Sequence, residues 1–262
     1  MEFAYTDKVE GLRGQIQDFM DAHIVPKIQD WRREVQAGSY PVSFMEELKT
    51  TARQQGLWNL FLPGLKPEEP GTPLTNLEYA PLAEIMGWIS WASEAFNCSA
   101  PDTGNMELLH MFATPEQYDQ WLAPLLSGEI RSAFAMTEPD TASSDAANIQ
   151  TRIDRDGDHY VINGRKWWIT NAAHPNCRLL IVMGKTDPNA DAYHQQSMVL
   201  VPMNTPGVNV VRNLTVVNHH HPEGHCEIVF DNVRVPTSHL LGEEGSGFAL
   251  AQARQGVLRS RF

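Results

Sequence analysis

Hydrophobic positions recur every three or four residues through the first part of the chain and every second residue through the middle, so the pattern predicts helices followed by strands. Val9, Leu12, Ile16, Phe19 and Met20 fall on one helical face, with Asp7-x-x-Glu10 read as a capping box before them and Pro26 as the limit. Ser43-x-x-Glu46 is expected to open a second helix with Phe44, Leu48 and Ala52 in its stripe and Gly56 as its stop. Thr75-x-x-Glu78 opens a third, lined by Leu82, Ile85, Met86 and Ile89. Thr114-Pro115-Glu116-Gln117 combines a cap, a proline at the first helical position and a glutamine at the third. Pro63 to Pro73, with four prolines and two glycines, reads as a loop.

After Gly128 the period shortens. Ser132–Met136, Ile149–Ile153, Tyr160–Ile162, Leu179–Met183, Met198–Val201, Val208–Val211 and Glu227–Phe230 are short runs of strand-forming residues, and Asp156-Gly157 is a hairpin signal. From Gly247 the pattern is helical again. The expected fold class is therefore α+β, with an N-terminal helical domain over 1–128, a small β-barrel or sandwich over 129–241 and the start of a further helical segment over 242–262.

Composition narrows the function. With 262 residues, 42% of them hydrophobic, the chain can bury one large or two ordinary cores. A formal charge of −12 argues against nucleic acid or a polybasic membrane anchor as partner, so an anionic coenzyme would need local cations. Arg165, Lys166, Arg178, Lys185 and Arg212 are the candidates, and equally they could be solvated strand ends. Three scattered cysteines, Cys98, Cys177 and Cys226, form no Cys-x-x-Cys and favour a reducing, cytoplasmic setting. The first residues lack a basic and an apolar stretch typical of a leader, and no apolar run approaches the ~20 residues that span a bilayer.

Two segments carry candidate chemistry. Phe134-Ala-Met-Thr-Glu-Pro-Asp-Thr-Ala-Ser-Ser-Asp145 reads as a strand leaving into a Thr-Glu-Pro turn, with a Ser-Asp pair closing the loop. Asn163-Gly-Arg-Lys-Trp-Trp-Ile-Thr-Asn171 lies one hairpin later. Taken alone, Trp167, Trp168 and Ile169 could simply alternate across a strand. Two other signals are weaker. Gly245-x-Gly247 lacks the third glycine and the βαβ start of a dinucleotide fingerprint. His219-His220-His221, succeeded by His225 and Cys226, invites a metal reading, but consecutive histidines in an extended segment point to alternate sides, which favours a polar loop beside the active site.

Together, in that order and spacing, the two segments resemble the flavin-binding signature of the acyl-CoA dehydrogenases, and the likeness runs from the N-terminal helices to about Arg254. The resemblance implies FAD as cofactor, with Phe134, Met136, Thr137, Ser143, Trp168, Ile169 and Thr170 as cofactor-binding residues. The strand end and Thr137 would meet the flavin, Trp168 would pack on the isoalloxazine, and Thr170 would stand near N5. Ser144 would bind substrate, in a loop one residue longer than is common in the family. The implied reaction is α,β-dehydrogenation of an acyl-CoA thioester, with electron-transfer flavoprotein as electron partner and a homo-oligomer in the complete enzyme. The family's base is a Glu of a third domain, a four-helix bundle, so Glu138 is not expected to be the base. Residues Gln255–Phe262 do not resemble the family's sequence at the start of that bundle, and a premature stop or frame shift near residue 255 is expected, with the bundle missing. An oxidase or monooxygenase of the same fold, and an inactive chain acting as a binding or assembly partner, are the rival readings.

Overall fold

The structure is a computed structural model that describes residues 4–259, with side chains to Arg254. The expected divergence over Gln255–Phe262 lies outside the described side chains. Two compact units divide the chain at Thr103/Gly104, in the first turn of a helix.

The first unit is helical. It contains α1 (Asp7–Phe19), α2 (Ile28–Gln36), α3 (Met45–Gln54), α4 (Asn76–Met86) and α5 (Ala92–Ala95). The predicted stripes face the interior: Val9, Ile16, Phe19 and Met20 are buried, as are Phe44, Leu48, Ala52, Leu82 and Met86. Three local expectations are corrected. The cap of α1 is Thr6, whose side chain accepts from the Val9 amide, so Asp7 already lies inside the helix. Pro26 does not end the helical run, because the chain widens into a π-turn at Met20–Ile24 and a 3-10 turn at Val25–Lys27 before α2. Pro26 sits in the first turn of the 3-10 segment, where an amide has no intrahelical partner to lose. Ser43 does not cap α3; Phe44 holds that position, and the Ser43 hydroxyl donates to Glu34 instead. Thr75 behaves as read, with a complete capping box to Glu78.

The second unit holds α6 (Asp102–Phe112, all but its first turn), α7 (Pro115–Gln117), α8 (Ala123–Leu126), ten strands and α9 (Gly247–Arg259). Thr114 makes the expected capping box with Gln117. The strands are β1 (Arg131–Ala135), β2 (Arg152–Asp156), β3 (His159–Thr170), β4 (Cys177–Lys185), β5 (Gln196–Pro202), β6 (Val208–Asn213), β7 (Thr215–Val216), β8 (His219–His220), β9 (His225–Pro236) and β10 (Leu240–Leu241). Seven lie in the order β10-β5-β4-β2-β3-β9-β6, and β1 joins β4 in parallel. The hairpin at Asp156-Gly157 is present, with Gly157 at φ +63°, the left-handed conformation a tight turn needs. Ile149–Thr151 is not strand; a 3-10 turn at Ala146–Asn148 precedes them and β2 starts at Arg152.

The sheet core joins Ala133 and Ala135 of β1, Ile153 of β2, Tyr160, Ile162 and Ile169 of β3, Leu180 and Val182 of β4, Val199 and Val201 of β5, and Ile228, Phe230, Val233 and Val235 of β9. Strands from both ends of the path thus share one interior, as a small barrel or sandwich requires. The helices α6 and α7 belong to this unit for a polar reason as well. Asn105 donates to the Ser132 hydroxyl at 2.9 Å, and the Gln117 amide donates to the carbonyls of Ser238 and Leu240 at 2.8 Å each.

Candidate functional site

Where β1 ends, the chain is stitched to β3 on both sides of Thr137. The Thr137 carbonyl accepts from the Trp167 amide at 2.9 Å, and the Thr137 hydroxyl donates to the Trp167 carbonyl at 2.7 Å. Lys166, wholly buried, donates to the Met136 carbonyl at 2.7 Å and to the Glu138 carboxylate at 2.8 Å. Glu138 in turn accepts from the amides of Gln150 and Thr151. Burial opposes charge on Glu138, but Lys166 and the Thr151 hydrogen bonds outweigh it and hold the carboxyl below the usual range. For Lys166 burial outweighs the attraction of Glu138 and brings the ammonium pKa down to about 8. Lys166 therefore leaves the set of candidate coenzyme cations.

The adjoining loop closes on itself. Buried Ser143 accepts from the Glu138 amide at 2.5 Å and donates to the Glu138 carbonyl at 3.2 Å. Ser144 is exposed, and Asp145 caps the short turn after it through the Ala147 amide. The Thr141 hydroxyl in this loop is buried without a partner.

A bulge shapes the second segment. The pairing of β3 with β9 slips between Lys166 and Ile169, and Trp168 sits at φ +55°, a conformation that costs a bulky L-residue roughly 1–2 kcal/mol. Simple alternation would send Trp167 and Trp168 to opposite faces; instead their ring centroids lie 5.9 Å apart. Trp168 is 42% exposed, while Ile169 is buried and Thr170 half-buried. Such local strain, kept on an exposed aromatic, marks a functional position more often than a packing one.

The bulge also sets what faces Thr170. Thr170 and His225 are direct cross-strand partners, with Thr170 Oγ1 and His225 Nδ1 3.0 Å apart. The His225 ring lies 6.4 Å from that of Trp168 and 5.4 Å from that of His221. Burial lowers the pKa of both histidines, and for His225 the neighbouring His221 adds to the effect. The rest of the histidine run behaves as a polar turn: His219 and His220 pair as β8 with β7 and are exposed. Among the described residues no group of three His, Cys, Asp or Glu side chains could hold a metal ion.

Two other features are invisible in the motifs. Phe134 is half-buried under the guanidinium of Arg254, 4.2 Å from the ring centroid, and Arg254 donates to Asn105 at 3.1 Å. Arg165 and Arg212 both hold the buried Glu227, each through Nε at 2.6 Å, which keeps that carboxyl low. Arg178 is occupied with the carbonyls of Pro175 and Cys177.

An exposed indole, a half-buried hydroxyl beside it and an orphaned buried hydroxyl in the adjoining loop fit a flat ring system that carries hydrogen-bonding edges and a polar tail. The residues present thus suit a flavin.

Comparison with known proteins gives the family. Residues 6–129 match the family model of the acyl-CoA dehydrogenase N-terminal domain, and residues 133–233 match that of the middle domain. The chain is 57% identical over 261 residues to Probable acyl-CoA dehydrogenase FadE2 of Mycobacterium tuberculosis, covering 98% of this chain and 63% of that protein. It is 44% identical over 264 residues to Acyl-CoA dehydrogenase family member 11 of Homo sapiens, covering 97% of this chain and 33% of that protein. A solved structure from Mycobacterium abscessus, assigned as an acyl-CoA dehydrogenase, superposes with a TM-score of 0.92 at 46% identity, over 99% of this chain and 66% of that one. The chain thus spans less than two thirds of the length of these relatives.

Proposed function

This chain belongs to the acyl-CoA dehydrogenase family, and from that premise we propose that residues 134–170 form an FAD site serving α,β-dehydrogenation of an acyl-CoA thioester. The observation that carries the reading is the left-handed bulge that leaves the Trp168 indole open beside Thr170. FAD, when bound, supplies the hydride acceptor. The chain's own part is to bind and orient: Trp168 bears on the ring with the Ile169 main chain beside it, Thr170 and the Phe134, Met136 and Thr137 backbone meet its polar edge, Ser143 shapes the loop beside the phosphates, and exposed Ser144 takes substrate. Electron-transfer flavoprotein as acceptor and a homo-oligomer as the complete enzyme belong to the same reading.

Removing the α-proton of a thioester needs a positioned base. Glu138 is unsuited to it. Its oxygens are taken by Lys166 and two backbone amides, and its lowered pKa makes it a weak proton acceptor. Glu138 is therefore not the base in this reading, and the family resemblance puts that role on a Glu of a third helical domain. An anaerobic visible spectrum of the chain with FAD, before and after a mixture of acyl-CoA thioesters, tests both halves. Bound flavin that stays oxidised is expected. Bleaching would overturn the assignment of the base, and absence of bound flavin at every concentration would overturn the flavin site itself.

A further inference from the structure

β3 ends in Thr170, whose hydroxyl has a single hydrogen to give. Its cross-strand partner, His225, places Nδ1 3.0 Å from Thr170 Oγ1. If Nδ1 is bare, the threonine hydrogen points at the histidine and only lone pairs face the site. If Nδ1 carries the hydrogen, His225 donates and the threonine hydrogen is free for another acceptor. The tautomer of His225 therefore sets the polarity that Thr170 presents. The histidine is itself held in place. Its amide donates to Asn213 Oδ1 at 2.7 Å, and its ring sits beside those of Trp168 and His221.

We propose that His225 is a positioning residue of the flavin site, donating from Nδ1 to Thr170 Oγ1 so that the threonine hydrogen is directed toward the ring system that lies on Trp168. The inference rests on the flavin reading above. It gives a role to one member of a histidine-rich segment that otherwise forms an exposed turn, and it explains why the bulge matters twice. The register slip after Lys166 both frees the Trp168 indole and brings Thr170 opposite His225 rather than a neighbour.

The test uses the full chain loaded with FAD and compares His225→Ala, His225→Asn, Thr170→Val and the double variant His225→Ala with Thr170→Val. The readouts are the visible band of oxidised flavin and the FAD Kd. Losing His225 is expected to shift the band and weaken FAD by about three- to tenfold, the scale of one neutral hydrogen bond. His225→Asn should recover most of both, because an Asn side chain carries a polar atom the same number of bonds from Cβ as Nδ1. In the Thr170→Val background the His225→Ala change should add nothing. An unchanged band and Kd in His225→Ala, or an undiminished effect of that change in the Thr170→Val background, would overturn the inference while leaving the flavin site intact. Failure of the unaltered chain to take up FAD would instead overturn the flavin reading, and this inference with it. If His225→Ala does not fold, the nitrogen resonances of His225 in the FAD-free chain serve. They should move on Thr170→Val, and unmoved resonances would overturn the inference.

Discussion

Glu138 and Lys166 show how a motif residue can be essential without touching the chemistry. The carboxylate holds a wholly buried ammonium and two amides at once, and so fixes where the strand end and the loop beyond it stand. Removing one member of a buried pair costs roughly 3–5 kcal/mol, because the other charge is left without a partner. Glu138→Ala should therefore lose about that much stability by denaturant unfolding, and Glu138→Ala combined with Lys166→Met should lose clearly less than the sum of the two single changes. The pH response has a definite sign. The folded carboxyl lies below its ordinary 4.5, so its contribution is complete above that pH and disappears as pH falls through the folded value. Glu138→Gln should flatten the acid limb of the stability curve relative to the unaltered chain; identical limbs would show that the pair contributes nothing there. In the sequence Lys166 reads as a candidate coenzyme cation or a solvated strand end, since a strand Lys between Arg165 and Trp167 gives no sign that it points inward. Only the fold puts a carbonyl and a carboxylate at its end.

Among the elements, those specified by local hydrogen bonding were legible and those set by tertiary register were not. Thr75 and Thr114 each announce a capping box that the structure contains, because the cap and its partner lie three residues apart. Ser43 carries the same spacing and fails, because Glu34, nine residues away, takes its hydroxyl. Thr75→Ala is expected to cost about 1 kcal/mol in thermal or denaturant unfolding, and Ser43→Ala measurably less. Equal losses would contradict the assignment of Phe44 as the cap of α3. The strands behaved likewise: their alternating apolar runs announced the sheet, yet nothing in Lys166-Trp167-Trp168-Ile169 announces the slip against β9. Hence the motif points to Trp168 and Thr170, whereas the pairing of His225 with Thr170 and of Arg254 with Asn105 follows only from how strands and helices meet.

For the whole molecule, the two family domains and the α+β order were readable from periodicity and two motifs, and the two family models meet near residue 130. The compact units divide earlier, at Thr103/Gly104, and Asn105 and Gln117 both bond into the sheet unit. Among the described residues no helix is long and apolar enough to cross a membrane. The central claim concerns one exposed aromatic held in a costly conformation, so the most direct measurement is an equilibrium titration of the chain with FAD, monitored by quenching of flavin fluorescence, alongside Trp168→Ala. Stacking on an aromatic contributes about 0.5–1.5 kcal/mol beyond burial, so saturable quenching is expected in the unaltered chain and binding weaker by about two- to twelvefold in the variant. Absence of saturable quenching, or equal affinity in the two proteins, would contradict the account.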